Sequence, residues 1–297
     1  MPSLPDPLPS GLRDAVEAAA GHVGAVQRVG GGDVSEAARL ETPAGAVFAK
    51  WGTGAAGAGY AAEAEGLAAL GALAGPDLVV PTPLDVRAGQ GEEAGWLVLD
   101  WIEPGRPSSS DWRRFGRALA DLHRRAAPGD GRYGWASDNW IGSKPQLNGW
   151  HASWPDFFGE RRLRAQAGLV RRRGAWRSAW DAPLDRLVAR LGEILPARPR
   201  ASLLHGDLWA GNAVATADGR FALIDPAVYV GHGEADIGLT ELFGGFEAPF
   251  AAGYREVLPD GDAAQREVYN LFHRINHLTH GPGYARGVEA TLGRFGR

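Results

Sequence analysis

The sequence predicts an α+β protein of two lobes, a small antiparallel β-rich N-lobe over residues 1–102 and a larger, mainly helical C-lobe over residues 103–297. Three observations predict it. Apolar and polar residues alternate around glycines in much of the first hundred positions, a Pro/Gly/Ser-rich stretch EPGRPSSS follows at 103–110, and beyond it the apolar spacing becomes helical. A chain of 297 residues, 44% hydrophobic and 22% charged, is long enough to bury two such cores.

In chain order, short strands are expected in HVGAVQRV and ARLETPAGAVFAKW within residues 22–51, joined by the turn Gly30, Gly31, Gly32 and Asp33. A helix follows over 60–73, where Ala64, Leu67, Leu70 and Leu73 share a face. LVVPTPLDV and GWLVLDWI read as a strand pair. In the C-lobe, Phe115, Ala118, Leu119 and Leu122 line a helix that Ser110 or Asp111 would cap. Two further stripes, Leu184 to Leu195 and Val268 to Leu278, mark later helices. Between them, ASLLHGDLW, NAVATA, an Asp218-Gly219 turn and RFALID announce an embedded hairpin.

Composition narrows the chemistry. The net charge of −4 gives no positive field to hold a phosphate backbone, which disfavours nucleic acid as a partner. With no cysteine there is no disulfide, thiolate metal site or thiol nucleophile. No apolar run approaches a membrane span, and the proline-rich, acidic opening MPSLPDPLPSGLRDAVE reads as mature, cytosolic sequence. Lys50 and Lys144 are the only lysines among 31 basic residues.

The strongest local pattern is LLHGDLWAGNAVATADGRFALIDPAV, residues 203–228. The hairpin within it would bring the Asn212 amide and the Asp225 carboxylate to one point, a pair of hard oxygen ligands suited to Mg²⁺. Asp207, on the preceding loop, would face an acceptor hydroxyl as general base or orienting group, with His205 beside it as a hydrogen-bonding strut. Phosphoryl transfer from ATP also needs a cation and a loop of backbone amides on the phosphates. Lys50, at the end of the strand AVFAK, and Gly30, Gly31 and Gly32 supply these, with Glu63 preferred over Glu65 as the lysine's partner. Leu99, Asp100, Trp101 and Ile102 lie at the lobe boundary, where adenine would meet the backbone. Asp236 would begin a helix and pin the catalytic loop, and the eleven residues separating it from Asp225 are too few for a long activation segment, which points to a small-molecule acceptor. Asp138, Asn139, Gln146, Asn148 and Trp209 are candidates for holding a polyhydroxylated acceptor. The tryptophans among them, Trp135, Trp140, Trp150 and Trp154, read first as core. His273, His277 and His280 share helical spacing but have no acidic partner to complete a metal site.

HGDLWAGN, LIDPAVYVGHGEADIGLTELFGGF, DNWIGSKPQLNGW and YNLFHRINHL together resemble the fructosamine kinase (ketosamine 3-kinase) family over most of the chain, and more distantly aminoglycoside phosphotransferases and choline kinases. The resemblance implies a protein-kinase-like fold and Mg²⁺-dependent transfer from ATP to the 3-hydroxyl of a small or protein-bound fructosamine or ribulosamine. The phosphorylated adduct then decomposes and frees the amine, a deglycation. By the same likeness Asp207 matches the catalytic aspartate, Asn212 and Asp225 the metal ligands, and Lys50 the phosphate-binding lysine. Two features depart from it: SKPQ stands where relatives commonly have Thr before Pro-Gln, and Asp33 sits in the glycine turn. Rival readings are a kinase for aminoglycosides, choline or another small alcohol, and a non-catalytic nucleotide-binding regulator; monomer and homodimer stay equally open.

Overall fold

The computed structural model describes residues 8–30, 35–281 and 283–297. Gly31, Gly32 and Asp33 of the expected phosphate loop lie outside the described residues. Helix α1 (Leu12–Ala20) leads into β1 (Val26–Arg28), β2 (Glu36–Thr42) and β3 (Gly45–Gly52). Helix α2 (Gly54–Leu73) and the strands β4 (Leu78–Val79), β5 (Pro83–Arg87) and β6 (Gly95–Asp100) complete the N-terminal part. The sheet order is β1-β2-β3-β6-β5, antiparallel throughout.

Alternation along β3 decides what each face carries. Val47, Ala49 and Trp51 join Ala38, Leu40 and Val98 against Leu12 and Val16 of α1. The intervening residues turn the other way, so Phe48 packs with Leu97 and Leu99 against Tyr60, Ala64 and Leu67 of α2, and Lys50 shares that face. A basic side chain is thereby placed on the helix-covered, inner side of the sheet.

Helix α2 begins at Gly54, six residues earlier than its apolar stripe predicts. Its first turns are glycine and alanine, which carry no periodic signal, and they pack by backbone approach, Gly57 lying against the Gly52 carbonyl. The strand pair also differs from expectation. LVVPTPLDV breaks in two, and β4 leaves the N-terminal sheet to pair in parallel with β11 (Phe221–Leu223), so one strand from before residue 102 belongs to the C-terminal part. GWLVLDWI stops being strand at Asp100, with Trp101 and Ile102 in the connector.

The C-terminal part opens with α3 (Ser109–Arg124), whose N-cap is Ser108, upstream of the expected Ser110 or Asp111. The Ser108 hydroxyl accepts from the Asp111 amide, while the Asp111 carboxylate accepts from the Ser108 amide at 2.9 Å. That reciprocal pair ties down two amides the first turn would leave unpaired. A hairpin follows, β7 (Asn139–Ile141) and β8 (Lys144–Gln146). Then come α4 (Trp154–Phe157), a π-helical stretch Phe158–Arg164 and α5 (Ala165–Arg172). The stripe Leu184 to Leu195 divides at Arg190 into α6 (Asp181–Ala189) and α7 (Leu191–Ile194). Strands β9 (Ser202–Leu204), β10 (Ala213–Ala215) and β11 carry the central motif, β12 (Tyr229–Gly231) pairs back on β9, and α8 (Glu234–Leu242), α9 (Ala248–Val257), α10 (Ala263–Asn276) and α11 (Gly283–Phe295) close the lobe.

The C-terminal core is aromatic. Trp112 and Phe115 of α3 pack on Phe221 of β11, each 4.5 Å between ring centroids, the first tilted and the second stacked, and both also meet Phe250 of α9. Trp154 is fully buried and donates its indole N–H to the Tyr269 hydroxyl at 3.0 Å. Trp135 is buried with its indole on Glu65, while Trp140 and Trp150 are half-buried. Helices α3 and α9 approach so closely that a Cβ on Gly116 would strike the Phe250 carbonyl, and one on Gly253 the Arg113 carbonyl. Gly116→Ala is therefore expected to lower stability by about 1–3 kcal/mol, since backbone cannot yield as a side chain does. Urea unfolding followed by tryptophan fluorescence checks this, and an unchanged midpoint would refute the crossing.

Candidate active site

The hairpin β10–β11 and the loop before it hold the acidic half of the site. Ile224 donates its amide to the Asn212 carbonyl at 3.1 Å, which carries the ladder one step past β11 and delivers Asp225 beside Asn212. The Asn212 side-chain NH₂ donates to the Asp207 main-chain oxygen at 2.9 Å and lies 3.4 Å from its carboxylate. Gly206, at φ +81°, takes a left-handed turn in which any side chain would collide with the Ala227 carbonyl, so only glycine passes there.

The loop is fixed from below by Asp236 in the first turn of α8. Its carboxylate accepts the His205 amide at 2.7 Å and the Gly206 amide at 2.9 Å, with His123 Nε2 at 3.3 Å. Burial works against the Asp236 charge, but these donors outweigh it and hold the carboxyl below its ordinary range. His205 is buried with both ring nitrogens committed: Nε2 donates to the Ile224 carbonyl at 2.9 Å and Nδ1 accepts the Asp207 amide at 3.3 Å. The ring thus braces the Asp207 loop against the strand that ends at Asp225.

The basic half comes from the other lobe. Lys50 Nζ reaches Glu63 Oε2 at 2.6 Å and Asp225 Oδ1 at 2.7 Å, across 175 positions of sequence. Glu63 is one turn along α2 from Tyr60, and the Lys50 ammonium lies 5.7 Å from the Tyr60 ring centroid. Burial alone would lower the lysine, but the two carboxylates raise it above the ordinary value and keep it charged. Glu65 faces elsewhere, accepting from Trp135 Nε1 at 3.0 Å. Asp225 has φ +52°, and as the residue before Pro226 it stands in a conformation disfavoured twice over. Such strain, of order 1–3 kcal/mol, persists where neighbours over-determine the backbone and collects at functional sites.

Asp207 is the most perturbed acid of the cluster. Burial, then the facing charges of Asp225 and Asp236, push its carboxyl up to about 7. Asn212 and Asp225 fit a divalent cation by their chemistry. The Asn212 side-chain oxygen Oδ1 accepts no protein donor among the described residues, the Asp225 side chain is half-exposed, and both are the hard oxygens that Mg²⁺ takes along with water and phosphate.

Around this centre, Leu99 is buried in β6, Asp100 accepts the Thr82 amide, and Trp101 donates to Glu103 in the connector. That connector runs beside the hairpin through the Gly105 amide on the Ala215 carbonyl. Trp209 is 42% exposed at the mouth of the loop. Asn139, Gln146 and Asn148 are buried and their amides serve the protein: Asn139 donates to the Val228 carbonyl at 2.7 Å and Gln146 to the Ala227 carbonyl at 3.0 Å, while Asn148 donates to Asn139 and to the Ser137 carbonyl. Asp138, exposed, accepts the Asn148 amide. His277 and His280 continue α10 as a 3-10 turn with their rings 5.3 Å apart, but among the described residues no group of three His, Asp or Glu could hold a metal.

The fructosamine kinase family model matches residues 12–295. The chain belongs to the fructosamine kinase family. Among the relatives of this family member, a probable ketoamine kinase of Synechocystis is 40% identical over 78% of this chain and 77% of its own. The protein-ribulosamine 3-kinase of Oryza sativa subsp. indica chloroplasts is 34% identical over 90% of this chain and 77% of its own. A putative fructosamine-3-kinase from Thermobifida fusca, solved by crystallography, superposes with a TM-score of 0.82 at 27% identity, covering 96% of this chain and 98% of that one. The two-lobed kinase-like fold is shared with these kinases.

The residues that the sequence alone does not point to are those that brace the site. Arg162, in the π-helical stretch, is fully buried and donates to the Asn148 side chain at 2.8 Å and the Leu147 carbonyl at 2.7 Å, with its guanidinium 3.9 Å over the Tyr229 ring. An arginine inside a basic run gives no sign of burial; only Phe158, one helical turn before it, and the adjacent Leu163 could have hinted at it. Two histidines of the same core, His273 buried and His232 half-buried, are perturbed as well. Burial pushes His232 down to about 4 and His273 to about 3. An unfolded chain takes up those protons near the ordinary 6.5, so below that pH the unfolded state binds more protons and stability falls. The melting temperature is expected to decline from about pH 6.5 downward, and His273→Leu to make the decline shallower; an identical slope in that variant would remove His273 from the account.

Proposed function

We propose that this chain transfers the γ-phosphoryl group of ATP to the 3-hydroxyl of a ketosamine, a fructosamine or ribulosamine adduct, free or on a protein. The observation that carries the reading is the single cluster in which Lys50 of one lobe meets Asp225 of the other beside Asp207 and Asn212. Family membership supports the acceptor class.

In this reading Lys50, oriented by Glu63, holds the nucleotide phosphates, and the turn containing Gly30 covers them. The adenine lies along Leu99, Asp100, Trp101 and Ile102. Mg²⁺ bound by Asn212 and Asp225 would supply charge neutralisation on the transferring group. Asp207 accepts the proton of the attacking hydroxyl, for which a carboxyl near neutrality is suited. His205 and Asp236 hold that carboxylate in place. The Trp209 ring offers an apolar face to the sugar, and Asp138, Asn139, Gln146 and Asn148 shape the hairpin that walls the acceptor. Phosphorylation at the third carbon prepares the adduct to lose phosphate and release its amine, so the reaction would repair glycated amines. No helix among the described residues is long and apolar enough to cross a membrane.

Asp207→Asn is expected to lower kcat by at least ~10²-fold while nucleotide binding persists, because the variant keeps the shape and loses the proton acceptor. Steady-state turnover with calorimetric nucleotide binding tests it, and wild-type kcat would overturn the role. Asp225→Ala should abolish Mg²⁺-dependent ATP turnover. Magnesium titration reads this directly, and an unaltered metal dependence would exclude Asp225 as a ligand. ATP consumption on ribulosamine, fructosamine and kanamycin side by side tests the acceptor class.

A further inference from the structure

Helix α2 carries Glu63 into the cleft, and one turn further on Gly66 rests against the chain just past Asp225. A Cβ at position 66 would lie 3.2 Å from both methyl carbons of Val228 and 3.4 Å from Pro226 Cγ, inside the separation at which carbon atoms pack best. Residues three apart share a helix face, so Gly66 and Glu63 approach the C-terminal part together.

The wall they meet is held on several sides. Ala227 donates its amide to the His205 carbonyl at 2.9 Å and accepts Gln146 on its own carbonyl, while the Val228 carbonyl accepts Asn139 at 2.7 Å. Val228 is buried, and its branched side chain is stiff at χ1. Nor is α2 free to back away. The Trp135 indole N–H reaches Glu65 at 3.0 Å, and Leu70 is packed in the C-terminal core. Where the helix ends, Arg125 donates to the Leu73 and Ala74 carbonyls at 2.7 and 3.1 Å. Between these two fixed bodies stands the Lys50 ammonium, 2.6 Å from Glu63 and 2.7 Å from Asp225. The interval between the carboxylates is thus set, one helical turn from Glu63 and three residues from Asp225, by a contact that a hydrogen fills and a methyl would push apart.

We infer that Gly66 is a positioning residue for the nucleotide: its bare backbone against Val228 sets the separation of Glu63 and Asp225, and so holds Lys50 ready for the phosphates of ATP before they arrive. The inference rests on the reading of Lys50 as the phosphate-binding group and is independent of the acceptor.

Calorimetric titration of AMP-PNP with Mg²⁺, together with the melting temperature, tests it. Alanine is the better residue in a helix interior, so without crowding Gly66→Ala would raise the melting temperature and leave affinity alone. Instead Gly66→Ala is expected to weaken AMP-PNP binding about fivefold or more, because small displacements of a phosphate ligand are costly. Adding Val228→Ala removes the opposing methyls and should restore most of the affinity. Gly71→Ala puts a methyl on the same helix where the nearest atom is 3.9 Å away, and should bind as the wild type does. Wild-type affinity in Gly66→Ala, a loss that Val228→Ala leaves unrepaired, or an equal loss in Gly71→Ala would overturn the inference. Should Gly66→Ala not fold alone, the Gly66→Ala/Val228→Ala variant carries the test: wild-type-like binding supports the spacing, and weak binding by the folded double variant refutes it. AMP-PNP affinity untouched by Lys50→Ala would remove the lysine from the phosphates, and this inference with it. Wild-type affinity in Gly66→Ala alone leaves that reading of Lys50 standing.

Discussion

The cleft is organised around one ammonium. Lys50 holds Glu63 of α2 at 2.6 Å and Asp225 of the C-terminal part at 2.7 Å, so a single positive charge keeps two carboxylates from facing each other unscreened. Burial already pushes the Glu63 carboxyl up to about 7 against the pull of Lys50, so without the lysine Glu63 would take up a proton and the link between the lobes would be lost. The contact also ties the two lobes together, alongside the bond from the Trp135 indole to Glu65 of α2. A nucleotide entering the cleft would exchange one set of anions around Lys50 for another, which lets binding energy reposition the lobes.

Holding Asp225 against that lysine strains the backbone before Pro226, and the protein answers with rigidity around it. The His205 ring braces the Ile224 carbonyl, Asp236 clamps two consecutive loop amides, and Gly206 makes the turn that a side chain would block. These groups fix where the Asp207 and Asp225 carboxylates stand, and in the proposed phosphoryl transfer such positioning is most of the catalytic problem.

The two lysines of this arginine-rich chain occupy opposite situations. Lys50 is held by carboxylates at 2.6 and 2.7 Å, whereas Lys144, 2% exposed, makes no ion pair among the described residues. Arg162 adds a third buried cation, satisfied by carbonyls and an aromatic face, that braces the hairpin carrying Lys144.

Local chemistry made much of this legible in the sequence. Alternation placed Lys50 at the end of a strand, the Asp218-Gly219 turn announced the hairpin, and the spacing of Asp207, Asn212 and Asp225 around it was enough to foresee a shared centre, because turns and strand periods are set by neighbours in the chain. Glycine- and alanine-rich stretches were silent, which is why the start of α2 and the departure of β4 to the other sheet were not visible beforehand. Only the tertiary structure decided that Glu63 and not Glu65 meets Lys50, that Asn139, Gln146 and Asn148 spend their amides on the protein, and that Lys144 and Arg162 are buried. Those outcomes depend on which distant surfaces come together, and the burial that gives a charge its meaning belongs to the packed lobes and to no segment alone.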